Sequence, residues 1–510
     1  MPERFNIGVA CSDVHPGDDV ALVEVGENDV REWTFGELSE QSNRCANALA
    51  ALGVEPGARV AFVLPQGLAG AVMHLGVSKL GAVAMPLSAL FGPDALRHRL
   101  ADSGARVVVT STAGAARVEP VAAEVGVHAI AEPELAAMLV AASPELTPHD
   151  TAAEDPAYLI YTSGTTASPK GVLHAHRSLF GHLPCLELGH DRFPQPGDRT
   201  WTPADWSWIG GMMDAFLPSL YFGVSVVAAP RPRFDPQWAA RLIVDTGIRN
   251  AFVPPTALRL MKAAGVMLPP GTLRSVISGG ETLGADVLAW ARESLGVTIA
   301  EMYGQSEANL LVGNAPALFP PRPGSMGRPY PGHDVEVLDD EGQPVARGVD
   351  GEIALRLPDP VAFLGYVGAP EATAEKTRGG WLRTGDIARR DEDGYIWFLG
   401  RADDLIISAG YRISPLEVEQ CLLQHEAVAS VAVVGAPDAT RGQIVKAFVV
   451  PAETTTPGEE LVRELQAFVR ERLAAYEYPR AVEFVDELPQ TVTGKIRRAV
   501  LAGRASEEAR

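Results

Sequence analysis

Cysteine is scarce in this sequence, and its few copies are spread along the chain. The 510 residues include four cysteines, which are Cys11, Cys45, Cys185 and Cys421. No two of them have the spacing of a metal site or a redox pair, and they suggest no disulfide framework. We therefore expect reduced thiols in a cytoplasmic protein.

Basic residues and long apolar runs are also in short supply. Lysine and arginine number 43 against 64 aspartates and glutamates, which gives a formal net charge of -21. So acidic a chain is unsuited to a broad nucleic-acid-binding surface, although it leaves room for a local basic pocket. No apolar run is long enough to span a bilayer. The N-terminal segment MPERFNIGVACSDVH lacks the apolar stretch of a signal peptide, so we expect none.

What the chain does contain is the pattern of an α/β protein. Hydrophobic residues make up 46% and charged residues 21%, which is typical of globular proteins, and 510 residues exceed a single ordinary core. Strand-like runs such as ARVAFVLPQ and ARVVVTST alternate with helix-like runs such as LAGAVMHLGVSK. This alternation predicts largely parallel sheets layered with helices.

The character of the sequence changes near GRADDLIISAGYR, at residues 400–412. Before this segment, DVEVLDDEGQPV and GEIALRLPD predict strands of an antiparallel, β-barrel-like portion. After it, the predicted order is helix, two strands, helix and strand, which describes a compact α+β unit. We predict a large domain over residues 1–402 and a small mobile domain over residues 403–510.

The segment YTSGTTASPKG, at residues 161–171, combines hydroxyl side chains, two glycines and one lysine after the predicted strand AYLIYT. Backbone N–H groups of such a loop can form a nest for an anion, and Lys170 adds a positive charge. A polyphosphate fits this composition. The segment is not a Walker A loop, because no GK[ST] follows at the required spacing. A solvated turn rich in serine and threonine is the alternative for this segment taken alone.

Six further motifs favour the phosphate-binding interpretation over a solvated turn, because of their order along the chain. They are SGGE (278–281), YGQSE (303–307), GSMGRP (324–329), WLRTGD (381–386), GRADDLIISAGYR (400–412) and TGKIRR (493–498). With the loop, they resemble the adenylate-forming superfamily of acyl-CoA synthetases, firefly luciferase and peptide-synthetase adenylation domains. The resemblance covers essentially the whole chain. It is strongest to medium-chain-type acyl-CoA synthetases, through RVAFVLPQ, WTPADWSWIGG, EMYGQSE and YEYPR.

The resemblance implies a two-step reaction that uses ATP, Mg²⁺ and CoA. A carboxylate attacks the α-phosphate of ATP to give an acyl-adenylate, and the CoA thiol then displaces AMP. Because the substrate supplies the first nucleophile, the protein needs to neutralise and align phosphates rather than carry a Ser/His/Asp triad. Three alternatives stay open: transfer to an acyl carrier protein, a catalytically impaired regulator, and a luciferase-like oxygenase.

The resemblance also assigns residues to ATP. It makes Lys495 the adenylation lysine and Glu307 the Mg²⁺ ligand, stacks Tyr303 on adenine, and places Asp386 with Arg401 at the ribose. Lys170 and Arg412 complete the implied catalytic set. The other implied nucleotide-binding residues are Thr162, Ser163, Gly164, Thr165, Thr166, Gly280, Glu281, Thr282, Gly304, Gln305 and Ser306.

The small domain carries the implied hinge and CoA site. Asp403 matches the hinge, and Gly410 lies where the pantetheine arm would pass close to the backbone. Arg412 would approach the AMP phosphate or the thioester. The implied CoA-binding residues are Ala409, Gly410, Tyr411, Arg441, Arg470, Tyr478, Pro479 and Arg480.

An acyl pocket is implied near the segment WTPADWSWIGGMM. Acetate-specific relatives have a tryptophan where this chain has Gly304, so we expect an open pocket floor and an acid longer than acetate. A medium-chain, branched or cyclic acid fits best, since no charged residue clearly selects a second carboxylate. The candidate pocket residues are Trp206, Gly210, Met213, Gly279 and Gly304, with packing in a plain core as the alternative.

Two positions depart from the family pattern. Ser306 replaces a threonine and keeps the hydroxyl. Ala167 replaces a glycine of the phosphate loop, which would cost roughly 1 kcal/mol if a positive φ were required there. We expect the loop to tolerate it. The nearby His174 and His176 would not share a face of a helix, so we predict no metal pair and expect them to help close the loop region. Self-association into a homodimer is left open.

Overall fold

The computed structural model describes residues 1–27, 29–162, 169–409, 411–438, 440–453, 455–473, 476–490 and 496–508. Its described residues divide into two compact units. The first comprises residues 1–162, 169–335 and 355–382, and the second comprises residues 336–354 and 383–508.

The strands lie throughout both units. In chain order they are β1 Val20–Val25, β2 Val30–Thr34, β3 Arg59–Val63, β4 Val83–Pro86, β5 Val107–Thr110, β6 His128–Ala131, β7 Pro156–Thr162, β8 Lys170–Ala175, β9 Arg199–Trp201, β10 Ser225–Ala228, β11 Asn250–Phe252, β12 Ser275–Gly279, β13 Ile299–Gln305, β14 Ala308–Gly313, β15 Arg328–Pro329, β16 Val335–Leu338, β17 Asp350–Arg356, β18 Gly365–Tyr366, β19 Trp381–Arg390, β20 Ile396–Arg401, β21 Ile406–Ser408, β22 Tyr411–Ile413, β23 Val428–Asp438, β24 Gly442–Pro451 and β25 Ala481–Phe484.

The helices alternate with these strands over much of the chain. They are α1 Ile7–Ala10, α2 Phe35–Ala51, α3 Leu68–Lys79, α4 Pro93–Ser103, α5 Ala115–Glu124, α6 Glu132–Ala141, α7 Ser178–Gly189, α8 Ile209–Gly211, α9 Leu217–Tyr221, α10 Pro236–Asp245, α11 Pro255–Ala263, α12 Ala285–Trp290, α13 Pro370–Lys376, α14 Pro415–Leu422, α15 Glu459–Arg472 and α16 Arg498–Glu508. Met212–Phe216 and Ala291–Leu295 are π-helical, and Arg378–Gly380 is a 3₁₀ turn. No helix in the described part of the chain has both the length and the apolar character of a membrane span.

The first unit contains two large sheets. Their strand orders are β18-β8-β7-β4-β3-β5-β6 and β15-β14-β13-β12-β11-β9-β10-β1-β2. Strands β3, β4, β5 and β6 pair in parallel, as do β9 to β13, which confirms the predicted parallel α/β arrangement. Strands β4 and β5 are buried along their whole length, and this is why their sequences are continuous apolar runs.

The second unit contains the predicted α+β elements. Helix α14 follows Ser414, whose side chain caps it by accepting from the backbone N–H of Glu417 at 3.3 Å. Strand β23 pairs antiparallel with β24, and β24 pairs in parallel with β25. The apolar faces of α14 and α15 belong to one core with these strands. The segment predicted to be barrel-like forms a sheet whose described strands run in the open order β16-β17-β19-β20.

Candidate active site

The predicted phosphate loop connects two strands of one hairpin. Strands β7 and β8 pair antiparallel, with Thr162 opposite Lys170 at the open end. The hairpin therefore fixes where the loop leaves and re-enters the sheet. The predicted loop residues Ser163, Gly164, Thr165 and Thr166, and the substituted position Ala167, lie outside the described residues.

Lys170 and Glu307 are linked through a tyrosine. Tyr366, on β18, donates from its hydroxyl to Glu307 Oε1 at 2.5 Å. The Lys170 ammonium lies 5.0 Å from the centroid of the same tyrosine ring. Strand β18 pairs with β8, and this pairing brings Tyr366 next to the strand that Lys170 begins. A half-buried carboxylate of this kind fits Mg²⁺, which takes few protein ligands when phosphates and waters supply the others.

The end of β13 holds the residues of the YGQSE motif. Gln305 Oε1 accepts from the Lys376 ammonium at 3.2 Å. His174 Nε2 donates to the backbone carbonyl of Ser306 at 2.6 Å. Burial lowers the pKa of His174 to about 4, so the ring is neutral and acts as a fixed donor. Tyr303 is half-buried on the same strand.

The helical interpretation of the two histidines was wrong. His174 lies in strand β8, and His176 lies in the turn after it. On a strand, residues two apart do share a face, so the stated reason against a metal pair does not apply. Their contacts differ nonetheless, because His176 Nδ1 accepts from the backbone N–H of Ile7 at 3.2 Å.

The SGGET segment is anchored from helix α11. Arg259 forms an ion pair with Glu281 at 2.9 Å and donates to the carbonyl of Thr282 at 3.0 Å. Gly280 has φ +94° with open space around it, so glycine is required there by backbone conformation rather than by crowding. The predicted residues of this turn are thus held by an arginine that the motif does not include.

The two residues predicted to hold the ribose meet in the second unit. Asp386 on β19 and Arg401 on β20 are opposite each other, and Arg401 Nη1 donates to Asp386 Oδ1 at 3.3 Å. Arg401 Nε also donates to Asp403 Oδ1 at 3.0 Å. Burial alone would lower the pKa of Arg401, but the two carboxylates raise it above its ordinary value. The predicted hinge residue is therefore tied directly to the predicted ribose site.

The predicted CoA residues form two groups within the second unit. In one group, the guanidinium groups of Arg470 and Arg480 lie 4.1 Å and 4.9 Å from the ring centroid of Tyr478. Pro479 connects Tyr478 to Arg480 along the chain. Since each arginine contacts the tyrosine ring, the aromatic ring gathers two cations at one surface position.

The other group surrounds the end of β21. The backbone N–H of Ala409 donates to the carbonyl of Arg441 at 2.9 Å, and Ala409 has φ +50°. Tyr411 is half exposed and stacks on Tyr476 with ring centroids 4.1 Å apart. Three predicted positions lie outside this description: Gly410, the side chain of Arg412, and Lys495.

Two of the five predicted acyl-pocket residues, Trp206 and Met213, are buried among apolar side chains, and the three glycines are partly buried. Trp206 stacks on Phe216 with centroids 4.0 Å apart, and Met213 is wholly buried. A Cβ on Gly210 would lie 2.9 Å from the Phe252 ring. One on Gly279 would lie 2.6 Å from the carbonyl oxygen of Met302.

Gly304 has a packing role in addition to the one predicted for it. A Cβ at this position would lie 2.4 Å from the backbone nitrogen of Leu310 and 2.7 Å from the Cα of Asn309. Both atoms belong to the backbone of β14, so neither can move aside without shifting the strand. Glycine is therefore needed for the close approach of β13 and β14, and its part in an open pocket floor remains a prediction.

Sequence reasoning missed four residues that contact predicted site positions: Tyr366, Arg259, Lys376 and Tyr476. Each lies outside the motif that it supports, at a position distant from it in sequence. None of the four has a local sequence signal that points to its partner.

Glu301, two residues before Tyr303, predicts a pH effect on stability. Its Oε1 accepts from the backbone N–H of Leu283 at 3.3 Å, and burial raises its pKa from 4.5 to about 7. The folded protein then holds a proton that the unfolded chain releases, so stability falls as pH rises from about 4.5 to about 7. Glu301→Gln removes this titration, and we expect its Tm at pH 8 to exceed that of wild type by ~2 °C.

Thermal unfolding of both proteins from pH 5 to pH 8 checks this expectation. The difference in Tm should grow with pH and level off above pH 7. Glu281→Gln is a control, because its carboxylate is paired with Arg259 near the surface. An equal fall in Tm for wild type and Glu301→Gln would contradict the assignment.

Comparison with family models and known proteins identifies relatives of this chain. The family described as "AMP-binding enzyme" matches residues 10–367, and "AMP-binding enzyme C-terminal domain" matches residues 417–495. An uncharacterized acyl–CoA ligase, YtcI of Bacillus subtilis (strain 168), is 35% identical over 500 residues, covering 96% of this chain and 94% of YtcI. Human acyl-coenzyme A synthetase ACSM4, mitochondrial, is 35% identical over 529 residues, covering 98% and 90%.

A solved structure extends the likeness to three dimensions. The crystal structure of Brucella canis acyl-CoA synthetase superposes with a TM-score of 0.76 at 35% identity, covering 99% of this chain and 95% of that one. The mixed α/β architecture with a larger N-terminal and a smaller C-terminal part is common to both. The chain therefore belongs to the AMP-binding enzyme family, and within it to the AMP-forming acid–CoA ligases.

Proposed function

We propose that this protein activates a carboxylic acid longer than acetate as an acyl-adenylate and then transfers the acyl group to CoA. The observation that carries the proposal is the convergence of Lys170, Tyr366 and Glu307 beside the hairpin that holds the predicted phosphate loop. A positive charge and a held carboxylate at one loop are what ATP with its metal ion requires. The medium-chain-type motifs support the choice of acid.

In the first step, a carboxylate oxygen of the acid attacks the α-phosphorus of ATP. The bond between that phosphorus and the bridging oxygen breaks, and pyrophosphate leaves with the electron pair. Lys170 and Lys495 reduce the repulsion between the two anions, while Asp386 and Arg401 hold the ribose. Bound Mg²⁺ would supply charge neutralisation at the phosphates, with Glu307 as its protein ligand and Tyr366 fixing the orientation of that carboxylate.

In the second step, the CoA sulfur attacks the acyl carbon, the thiol proton is lost, and AMP leaves. We propose that the second unit supplies the CoA contacts. Arg470 and Arg480 beside Tyr478 offer cations to the nucleotide part of CoA, and the backbone at Ala409 borders the pantetheine arm. The domains proposed for this exchange span residues 1–402 and 403–510, with Asp403 as the hinge.

An acyl carrier protein is the competing acceptor. The paired arginines of the second unit favour CoA, because a compact cation pair suits a nucleotide phosphate. We also propose a cytoplasmic location, supported by the four unpaired cysteines. Whether two copies associate is measured directly by sedimentation of the purified protein.

Pyrophosphate release tests the proposal. Purified protein is incubated with ATP, Mg²⁺ and straight-chain, branched, cyclic and aromatic acids, with CoA, with a carrier protein, or with neither. Turnover that depends on CoA and rises beyond acetate is the expected result. Turnover that requires the carrier protein would identify that protein, rather than CoA, as the acceptor of the acyl group. If every acid is silent, Ala167→Gly is assayed in parallel, and silence of that variant as well would contradict the proposed function.

A further inference from the structure

A trio of buried polar side chains connects helix α7 with β14 and with the segment that carries the predicted acyl-pocket residue Met213. Asp214 is in the π-helical segment Met212–Phe216, Asn309 is on β14, and His182 is on α7. Asn309 Nδ2 lies 2.6 Å from Asp214 Oδ1 and 3.2 Å from His182 Nε2. Burying polar groups is costly unless they are hydrogen-bonded, so a buried polar atom that lacks a hydrogen bond needs an explanation.

The proton positions in this trio follow from one carbonyl. His182 Nδ1 lies 2.7 Å from the backbone carbonyl oxygen of Ser178, which can only accept, so Nδ1 carries the proton. Burial lowers the pKa of His182 to about 3, so the ring is neutral and Nε2 is an acceptor. Asn309 Nδ2 therefore donates one hydrogen to His182 and the other to Asp214 Oδ1.

Asp214 is left with an unused donor. Burial raises the pKa of this carboxyl well above its ordinary value, which favours the protonated form. Because Oδ1 accepts from Asn309, a proton on this carboxyl is carried by Oδ2. Oδ2 has no hydrogen-bond partner among the residues that the structure describes. It lies 3.4 Å from the position that a Cβ of Gly210 would occupy.

The two glycines predicted for the acyl pocket border this trio. A Cβ on Gly210 would contact both the Phe252 ring and Asp214 Oδ2, and one on Gly304 would lie 2.7 Å from the Cα of Asn309. Apolar neighbours in this region include Ile277. Titratable groups also lie near the trio: Tyr158, Cys185 and Tyr330 interact with Asp214, and His174, His333 and Asp359 interact with His182. A buried O–H group with no other partner is suited to orient one polar atom of a ligand. The π-helical turn under Asp214 is a local distortion of a kind frequent at functional sites.

We infer that the acid activated by this protein carries a hydroxyl or oxo oxygen, which accepts a hydrogen bond from Asp214 Oδ2 inside the acyl pocket. The inference rests on the proposed function and names the substrate class for the same site. Asn309 and His182 act as positioning residues, since they hold the carboxyl with its O–H toward Gly210. A site with a buried donor rejects the analogue that leaves the donor unpaired.

Matched pairs of acids test the inference. Hexanoate is compared with 3-hydroxy-, 5-hydroxy- and 5-oxohexanoate, and benzoate with its three hydroxy derivatives, by pyrophosphate release. For wild type we expect at least one oxygenated acid to exceed its parent in kcat/KM by about 10-fold or more. Asp214→Leu should remove that preference, mainly by lowering kcat/KM for the oxygenated acid.

Asp214→Asn is the matched control, because an amide can accept from Asn309 with its oxygen and donate with its nitrogen. It should retain most of the preference. Loss of the preference in Asp214→Asn would contradict the assignment of Asp214 as a neutral hydrogen-bond donor. It would indicate instead an ionised carboxylate that binds a cation. Gly210→Ala, which crowds Oδ2 from the pocket side, should reduce the preference even if Asp214→Leu does not fold.

The outcomes also separate this inference from the proposed function. Wild-type turnover of the plain acids with no gain from any oxygen would overturn the inference alone and leave the ligase activity standing. Silence with every acid, plain and oxygenated, would contradict both. Retained preference in both Asp214→Leu and Gly210→Ala would also overturn the assignment to Asp214.

Discussion

Replacing Lys495 with alanine is expected to lower acyl-adenylate formation by at least about 10³-fold, the scale on which one cation stabilises a phosphate transition state. The first step brings a carboxylate onto a triphosphate, and a lysine that contacts both anions offsets their repulsion only while they react. Thioesterification of supplied acyl-adenylate involves no such approach of two anions. We therefore expect it to change by less than about threefold.

The two half-reactions are measured separately. Exchange of labelled pyrophosphate into ATP reports adenylation, and thioester formation from synthetic acyl-adenylate and CoA reports the second step. Lys262→Ala is the control, because this lysine forms an ion pair with Asp286 at a partly exposed position on α11. Equal losses in both half-reactions would contradict the assignment of Lys495 to the first step.

Much of the fold could be predicted from sequence because its strands are buried on both faces. The sequences of β3, β4 and β5 are short, continuous apolar runs, which are typical of parallel strands covered by other elements on both faces. Local composition was sufficient wherever one element buries one continuous apolar surface.

Side-chain partnerships could not be predicted in the same way. Tyr366 and Glu307 are 59 residues apart, and they meet because β18 pairs with β8, a two-residue pairing with no local signal. Sequence reasoning placed His174 on a helix, but the structure places it in strand β8. Strand pairing decided its conformation and placed its ring against Ser306.

Gly304 illustrates a limit of reading function from a missing side chain. The sequence suggests that glycine leaves space for a substrate. The structure adds that β14 approaches too closely for any Cβ at this position. The two reasons are compatible, but they give different results on substitution: a larger residue here first displaces a strand and only then fills a pocket. Pocket size is therefore better tested at Gly210, where the obstacle includes a side-chain ring.

Glu307→Gln is expected to reduce adenylation by roughly 10²- to 10³-fold and to raise the Mg²⁺ concentration needed for half-maximal rate. Glutamine keeps an oxygen that can accept from Tyr366, but it loses the charge that a hard cation requires. Tyr366→Phe makes the opposite change, since it keeps the carboxylate and removes the hydrogen bond. For that variant we expect a loss of about 10- to 100-fold, typical of a residue that orients a metal ligand.

The double variant separates orientation from charge. If Tyr366 acts only by holding Glu307, then adding Tyr366→Phe to Glu307→Gln costs little more, and the two losses are strongly non-additive. Tyr221→Phe removes a hydroxyl from a partly buried ring in an aromatic cluster of the same unit and serves as the control. Additive losses, or a Tyr366→Phe variant with unchanged Mg²⁺ dependence, would mean that Tyr366 affects the reaction by another route. Non-additivity confined to adenylation would instead identify the pair as one unit, which binds the metal with the carboxylate and orients that carboxylate with the hydroxyl.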